Sequence, residues 1–149
     1  MSAEENKAIV RRFQEEYLVG RNTTVGDELL APGFHLKAAG VGWRSLQPPG
    51  SATMTRAMKA WWDAFPDLAA PIEQMIAEGD KVLVVSMMSG THQADFLAGP
   101  AGPIKATGRR FTLPDMTVYR IAEGRIVEAW GSFNAGSLWQ QLGAIPSPT

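Results

Sequence analysis

The spacing of the apolar residues changes character near Pro66, and that change restricts the chain to few architectures. Up to Phe65 the apolar side chains recur every three or four residues; beyond Pro71 they gather in short β-branched runs set off by glycine turns. The sharpest helical pattern is Met54, Ala57, Met58, Trp61, Trp62 and Phe65, with Thr53 available as a cap and Pro66 as a stop. Ahead of it, Ser2 and Glu5 form a capping box for a helix carrying Ile9, Val10, Phe13 and Tyr17 as far as Gly20. Thr23 and Thr24 can cap a second, short helix bearing Val25, Leu29 and Leu30, which ends before Pro32, and the two helices should pack as a hairpin. A short strand from Phe34 to Ala38 and a Gly/Pro-rich loop to Gly50 lead into the third helix.

After it come four strand-like runs: Pro71 to Ala77, Lys81 to His92, Arg110 to Ile121 and Arg125 to Phe133. Tight turns at Glu78-Gly79-Asp80 and Ala122-Glu123-Gly124 make an antiparallel meander. Residues 94–109 contain several glycines and prolines and read as a mobile loop able to act as a lid, while a short helix over 137–142 precedes a frayed tail at 144–149. Helices followed by strands predict one α+β domain over 1–149, with the helices on one face of the sheet and the third closing its concave side.

Composition narrows the function. With no cysteine and two separated histidines, His35 and His92, a metal centre is not expected. The net charge is −1 and the basic residues are scattered, so no nucleic-acid footprint is present. No apolar run reaches the ~18 residues of a membrane span, and the polar, acidic start Met1-Ser2-Ala3-Glu4-Glu5 lacks the features of a secretory signal, which predicts a soluble, cytoplasmic protein. Five tryptophans and seven methionines either fill the core or line a pocket for a hydrophobic small molecule.

Five segments, in order and spacing, resemble the SnoaL-like polyketide cyclase family: Ala64-Phe65-Pro66-Asp67-Leu68, Ala77-Glu78-Gly79-Asp80-Lys81-Val82, Gly90-Thr91-His92, the run from Tyr119 through Gly124 to Trp130, and Gln140-Gln141-Leu142-Gly143. The resemblance implies the nuclear transport factor 2-like fold, a cone-shaped, curved antiparallel sheet with three N-terminal helices around an apolar pocket. It also implies a homodimer, a polyketide-like substrate, no cofactor, and ring closure by intramolecular aldol chemistry. The histidine and aspartate that the family's aldol cyclases use fall here on Thr117 and Gly131, and a further acidic position falls on Asn134. The Asp-Arg-Asp set of the epoxide hydrolases on this fold has no match either, so neither mechanism transfers intact.

Alternation along the 110–121 strand puts Phe111, Leu113, Asp115, Thr117 and Tyr119 on one face. That face should look into the cone, making Asp115 the first candidate for acid–base work, with a raised pKa, unless it merely accepts backbone hydrogen bonds. His92 is the second candidate, its imidazole suited to proton exchange near neutral pH, although it could simply tie the strand end to the following loop. Thr117 can polarise a carbonyl. Tyr17, Trp61, Tyr119, Phe133, Met88 and His35 are candidates for the substrate wall, while Trp62 and Trp130 suit the core or a dimer interface. Asp63, Asp67 and the arginine pairs Arg11-Arg12 and Arg109-Arg110 read as structural or solvated. The reading is a cyclase in natural-product biosynthesis that closes a carbon–carbon ring, by pericyclic or Michael-type chemistry because the His/Asp pair is missing. An aldol cyclase or isomerase with Asp115 as base and a non-catalytic binding domain are its rivals.

Overall fold

The computed structural model describes residues 2–38, 44–97 and 102–146. Helix α1 (Ala3–Arg12) starts from the capping box, in which the Ser2 hydroxyl accepts from the Glu5 N–H at 3.1 Å and the Glu5 carboxylate accepts from the Ser2 N–H at 3.3 Å. It does not run on to Gly20 as an α-helix, because residues Phe13–Val19 widen into a π-helix. The i to i+4 spacing of apolar residues fits both forms, so periodicity could not separate them. Within this segment Phe13, Gln14 and Tyr17 are buried. Helix α2 (Thr23–Leu29) is capped by Asn22, whose side-chain oxygen accepts from the Val25 N–H at 3.3 Å, and not by either threonine. Its Gly26 lies under the Tyr17 ring, where a Cβ would stand 2.6 Å from a ring carbon.

Strand β1 (Leu30–Ala38) starts four residues earlier than expected. Pro32 is tolerated there because the pairing of β1 with its neighbour is irregular between Leu30 and His35. After the two-residue β2 (Arg44–Ser45), helix α3 (Ser51–Ala64) begins at Gly50; Thr53 sits in its first turn and accepts from Arg56 at 3.2 Å, so it is not the cap. Then come β3 (Ile72–Glu78), β4 (Lys81–Thr91), β5 (Arg110–Ala122), β6 (Arg125–Phe133) and a short α4 (Ala135–Gln141). The sheet order is β2-β1-β6-β5-β4-β3. The last four strands form the expected antiparallel meander, but β1 pairs with β6 in parallel, which makes the sheet mixed. The long excursion through α3 and three strands returns the chain to β1 in the same direction.

Alternation decides what the sheet buries. Val82, Val84, Ser86, Met88 and Gly90 of β4 point toward the helices with Phe111, Leu113 and Tyr119 of β5, and the aromatic rings of Phe13, Phe34 and Phe65 pack over them. Trp62 is a core residue whose indole N–H reaches the Leu18 carbonyl at 2.8 Å, tying α3 to the π-helix. Trp130 lies on the opposite face, under the Lys37 ammonium at 4.2 Å.

The 94–109 segment is tied at both flanks. Phe96 and Ile104 exchange backbone hydrogen bonds, His92 pairs with Arg109 and Gly108, and the fully buried Phe96 ring packs on Trp61 and Trp139. The centre of the expected lid, residues 98–101, and the tail end, 147–149, lie outside the described residues. No described helix is long and apolar enough to cross a membrane.

Gly26→Ala is expected to cost about 1 to 3 kcal/mol by forcing the Tyr17 ring out of its site, although alanine is the better helix former. Urea unfolding of the variant checks this; unchanged stability would show that the ring moves freely.

Candidate functional site

The helices cover the concave face of the sheet incompletely, leaving a cavity of about 150 Å³ that opens to solvent. Phe13, Gln14, Leu18 and Val19 of the π-helix form one side; Met54, Met58 and Trp61 of α3 form another. The sheet supplies Phe34 and Leu36 from β1, Met88 from β4, Asp115, Thr117 and Tyr119 from β5, and Ala129, Gly131 and Phe133 from β6. Of the expected residues, Asp115, Thr117, Trp61, Tyr119, Phe133 and Met88 therefore meet on one cavity. The alternation of β4, β5 and β6 and the apolar face of α3 bring them there.

Three expected residues stand elsewhere. Tyr17 is fully buried outside the cavity, its hydroxyl 2.7 Å from Thr55 Oγ1 and its ring edge-on to Trp62. His35 is on the far side of β1 from Phe34 and Leu36, with Nε2 3.9 Å from the Glu128 carboxylate. His92 is wholly buried beyond the end of β4: Nδ1 faces Thr107 Oγ1 at 3.0 Å and accepts from the Thr107 N–H at 3.3 Å, and the ring lies on Phe65. Burial lowers its pKa, which holds it neutral as a fastening for the 104–108 segment. Asp67 is likewise structural, accepting from both the N–H and the hydroxyl of Thr91 at 2.7 Å, while Asp63 is exposed at the end of α3.

Asp115 differs from every other acid in the chain. It sits among apolar walls, no described side chain hydrogen-bonds it, and only the Met116 backbone N–H favours its charge. Burial pushes its pKa up from 3.8 to about 6. Beyond Thr117 on the same face, the buried Tyr119 phenol is held protonated far above its ordinary range, by burial first and then by the nearby Asp115 charge. Tyr119 donates to Gln14 Oε1 at 3.4 Å, and the Gln14 amide reaches Ser86 Oγ at 3.4 Å and the Ala70 carbonyl at 3.5 Å. Ser86 is the β4 partner of Asp115. Gln14 is thus a polar cavity residue that the sequence reading did not select, although its placement between Val10 and Tyr17 on the apolar face was a signal. Among the described residues no three His, Asp or Glu side chains converge to hold a metal. The arrangement offers one carboxyl that changes charge near neutral pH, two hydroxyls and an amide, all in apolar surroundings.

Because the folded-state pKa of Asp115 is raised above its unfolded value, the native state holds this proton more tightly. Its contribution to stability is intact below about pH 4 and is lost as pH rises through about 6. Ionising the half-buried carboxyl costs about 3 kcal/mol at the alkaline end. Asp115→Asn is therefore expected to match the wild type near pH 4 and to be more stable by up to about 3 kcal/mol at pH 7.5. Denaturant unfolding at the two pH values checks this; a difference independent of pH would remove the strained carboxyl.

Comparison with known proteins agrees with the geometry. A SnoaL-like protein from Jannaschia sp. CCS1, described as a polyketide cyclase, superposes with a TM-score of 0.82 at 21% identity, covering 97% of this chain and 95% of that one. AclR from Streptomyces galilaeus, described as a hydroxylase, has a TM-score of 0.81 at 24% identity over 99% of this chain and 87% of its own. IdmH from Streptomyces antibioticus, described as a polyketide cyclase, has 0.75 at 24% over 93% and 98%. At these identities the likeness concerns the fold, and no curated protein sequence matches. The sequence profile described as "SnoaL-like polyketide cyclase" matches residues 8–142, nearly the whole length, and the chain belongs to that family.

Proposed function

We propose that the protein is a cofactor-independent cyclase of natural-product biosynthesis that folds a neutral, polyketide-like chain in the cavity and promotes carbon–carbon ring closure. The observation that carries this is the lining: an apolar enclosure with, among the described residues, a single ionisable carboxyl, Asp115, beside the hydroxyl of Thr117. Apolar walls exclude water and fix the substrate's fold, and holding reacting carbons in attack geometry can supply about 7 to 11 kcal/mol in favourable cases. Thr117, at the family's histidine position, carries a hydroxyl that does not exchange protons near neutral pH, and Gly131, at its aspartate position, has no side chain. Closure of the pericyclic or Michael type fits this lining, with Asp115 or Thr117 polarising a carbonyl.

The raised pKa of Asp115 favours a second reading, in which the carboxylate takes a Cα proton, the resulting enolate attacks a carbonyl of the same chain, and the carboxylic acid returns the proton to the new alkoxide. A carboxylate titrating at about 6 is a stronger base than an ordinary one and is still ionised at neutral pH.

The homodimer that the family resemblance implies is part of the proposal. The outer face of the sheet supports it: Leu83, Met116, Val118 and Trp130 line a shallow apolar hollow there, and Met116 is 50% exposed.

Incubation with a linear poly-β-ketone precursor and mass spectrometry test the function, with faster ring formation in the presence of protein as the expected result. Tight binding without turnover contradicts it and leaves a binding protein. The pH–rate profile and Asp115→Asn divide the readings. Template closure with Thr117 polarising the carbonyl predicts a flat profile and a variant within a few-fold of wild type, and with protonated Asp115 doing so it predicts a rate that falls above about pH 6; the base reading predicts a rate rising to a plateau above about pH 6 and a loss of roughly 10²-fold or more. Met116→Asp is expected to halve the mass seen by light scattering while leaving the far-UV spectrum unchanged.

A further inference from the structure

Gly131 lies near the C-terminal end of β6, paired with β1 on one side and β5 on the other, where glycine weakens a strand because it gains no packing and loses the most backbone freedom. No backbone conformation requires it, and among the described neighbours the Thr117 hydroxyl is what would crowd a Cβ. Its φ lies outside the left-handed region, and its pairing with Thr117 and Ala38 is in regular register, the bulge of β5 and β6 falling farther along at Arg120 and Ile121. A Cβ built on Gly131 would meet Thr117 Oγ1 at 3.3 Å and Leu36 Cδ1 at 3.9 Å, tight but without backbone in the way. A strand glycine that neither φ nor a bulge explains often marks the close approach of a ligand, and here that approach would be from the cavity side, next to the Thr117 hydroxyl.

What stands around it says what that is. Along the cavity face Gly131 separates Phe133 from Ala129, and across the ladder these three face Asp115, Thr117 and Tyr119 in turn. The Trp61 ring stands edge-on to Phe133, at 5.5 Å and 84°. The result is a bare strip of backbone, closed at one end by two aromatic rings and edged by a hydroxyl and a carboxyl. We infer that Gly131 and Thr117 form a subsite for a flat, neutral ring carrying a ketone or phenol oxygen. The ring lies on the Gly131 backbone, and its oxygen is hydrogen-bonded by Thr117 Oγ1 on the side of Asp115. Gly131 is then a specificity-determining residue and not just the site of a lost aspartate. The lack of a basic group on the cavity wall among the described residues disfavours a free carboxylate there.

The inference rests on the proposed function for its ligand class, but its test does not depend on turnover. The full-length protein is titrated with 1-tetralone and with tetralin, bicyclic compounds that differ by one carbonyl, and followed by NMR. Tetralone is expected to give NOEs to the Gly131 Hα protons in the wild type. Thr117→Val should weaken tetralone about tenfold and leave tetralin unchanged. Gly131→Ala should weaken both by a similar factor while its melting temperature stays level or rises. Absence of binding, NOEs that avoid Gly131, or unchanged affinity in both variants overturns the subsite. Should the subsite hold while no precursor is cyclised, the cyclase reading falls and the subsite stands; the reverse pattern removes the subsite alone.

Discussion

Everything in the cavity depends on the register of β4 against β5. The two strands pair without interruption from Lys81 opposite Arg120 to Thr91 opposite Arg110. Because side chains alternate, a slip of one residue would turn Asp115, Thr117 and Tyr119 to solvent and bring Pro114, Met116 and Val118 inward. The register is held by what lies at its ends and beneath it: Phe111 is locked among the rings of Phe65 and Trp61, Leu113 is buried beside it on the same face, and Ile121 is buried at the turn end. The carboxyl is therefore positioned by hydrophobic packing of its neighbours on the same strand and the Met116 N–H, with no side-chain partner among the described residues to hold it.

That division explains the site's chemistry. A carboxyl fixed by salt bridges would keep a low pKa, as with Asp67, held down by hydrogen bonds from Thr91 and the Arg110 charge. Asp115 is fixed from behind and left facing an apolar space, so its proton affinity rises and its free oxygens remain available to a ligand. The polar chain from Tyr119 through Gln14 to Ser86 runs beside it, made of groups that stay neutral. The cost falls on stability.

Much of this was legible from the sequence because period-2 and period-3.6 patterns directly encode faces. They put Asp115, Thr117 and Tyr119 on one side of a strand and Trp61 on the cavity side of a helix, and the helices-then-strands order gave the α+β architecture. What the patterns do not encode was missed. The π-helix repeats its apolar residues at spacings an α-helix also uses, so Gln14 and Tyr17 went unresolved: one enters the cavity and the other leaves it for Thr55. The parallel pairing of β1 with β6 joins segments almost a hundred residues apart, beyond the reach of any local signal, and it decides that His35 faces Glu128. His92 has the chemistry of a proton carrier, yet the 104–108 segment covers it; only tertiary structure shows that. Asn134, expected from the family resemblance at an acidic position, caps α4 by accepting from the Ser137 N–H at 2.9 Å.

The central claim is that an isolated carboxyl faces an apolar cavity with its proton affinity raised. Carboxyl ¹³C NMR of aspartate-labelled protein, with Asp115→Asn used to assign the resonance, reads that affinity directly. The account predicts a titration midpoint for Asp115 of about 6. A midpoint at the ordinary aspartate value of about 4 would contradict it.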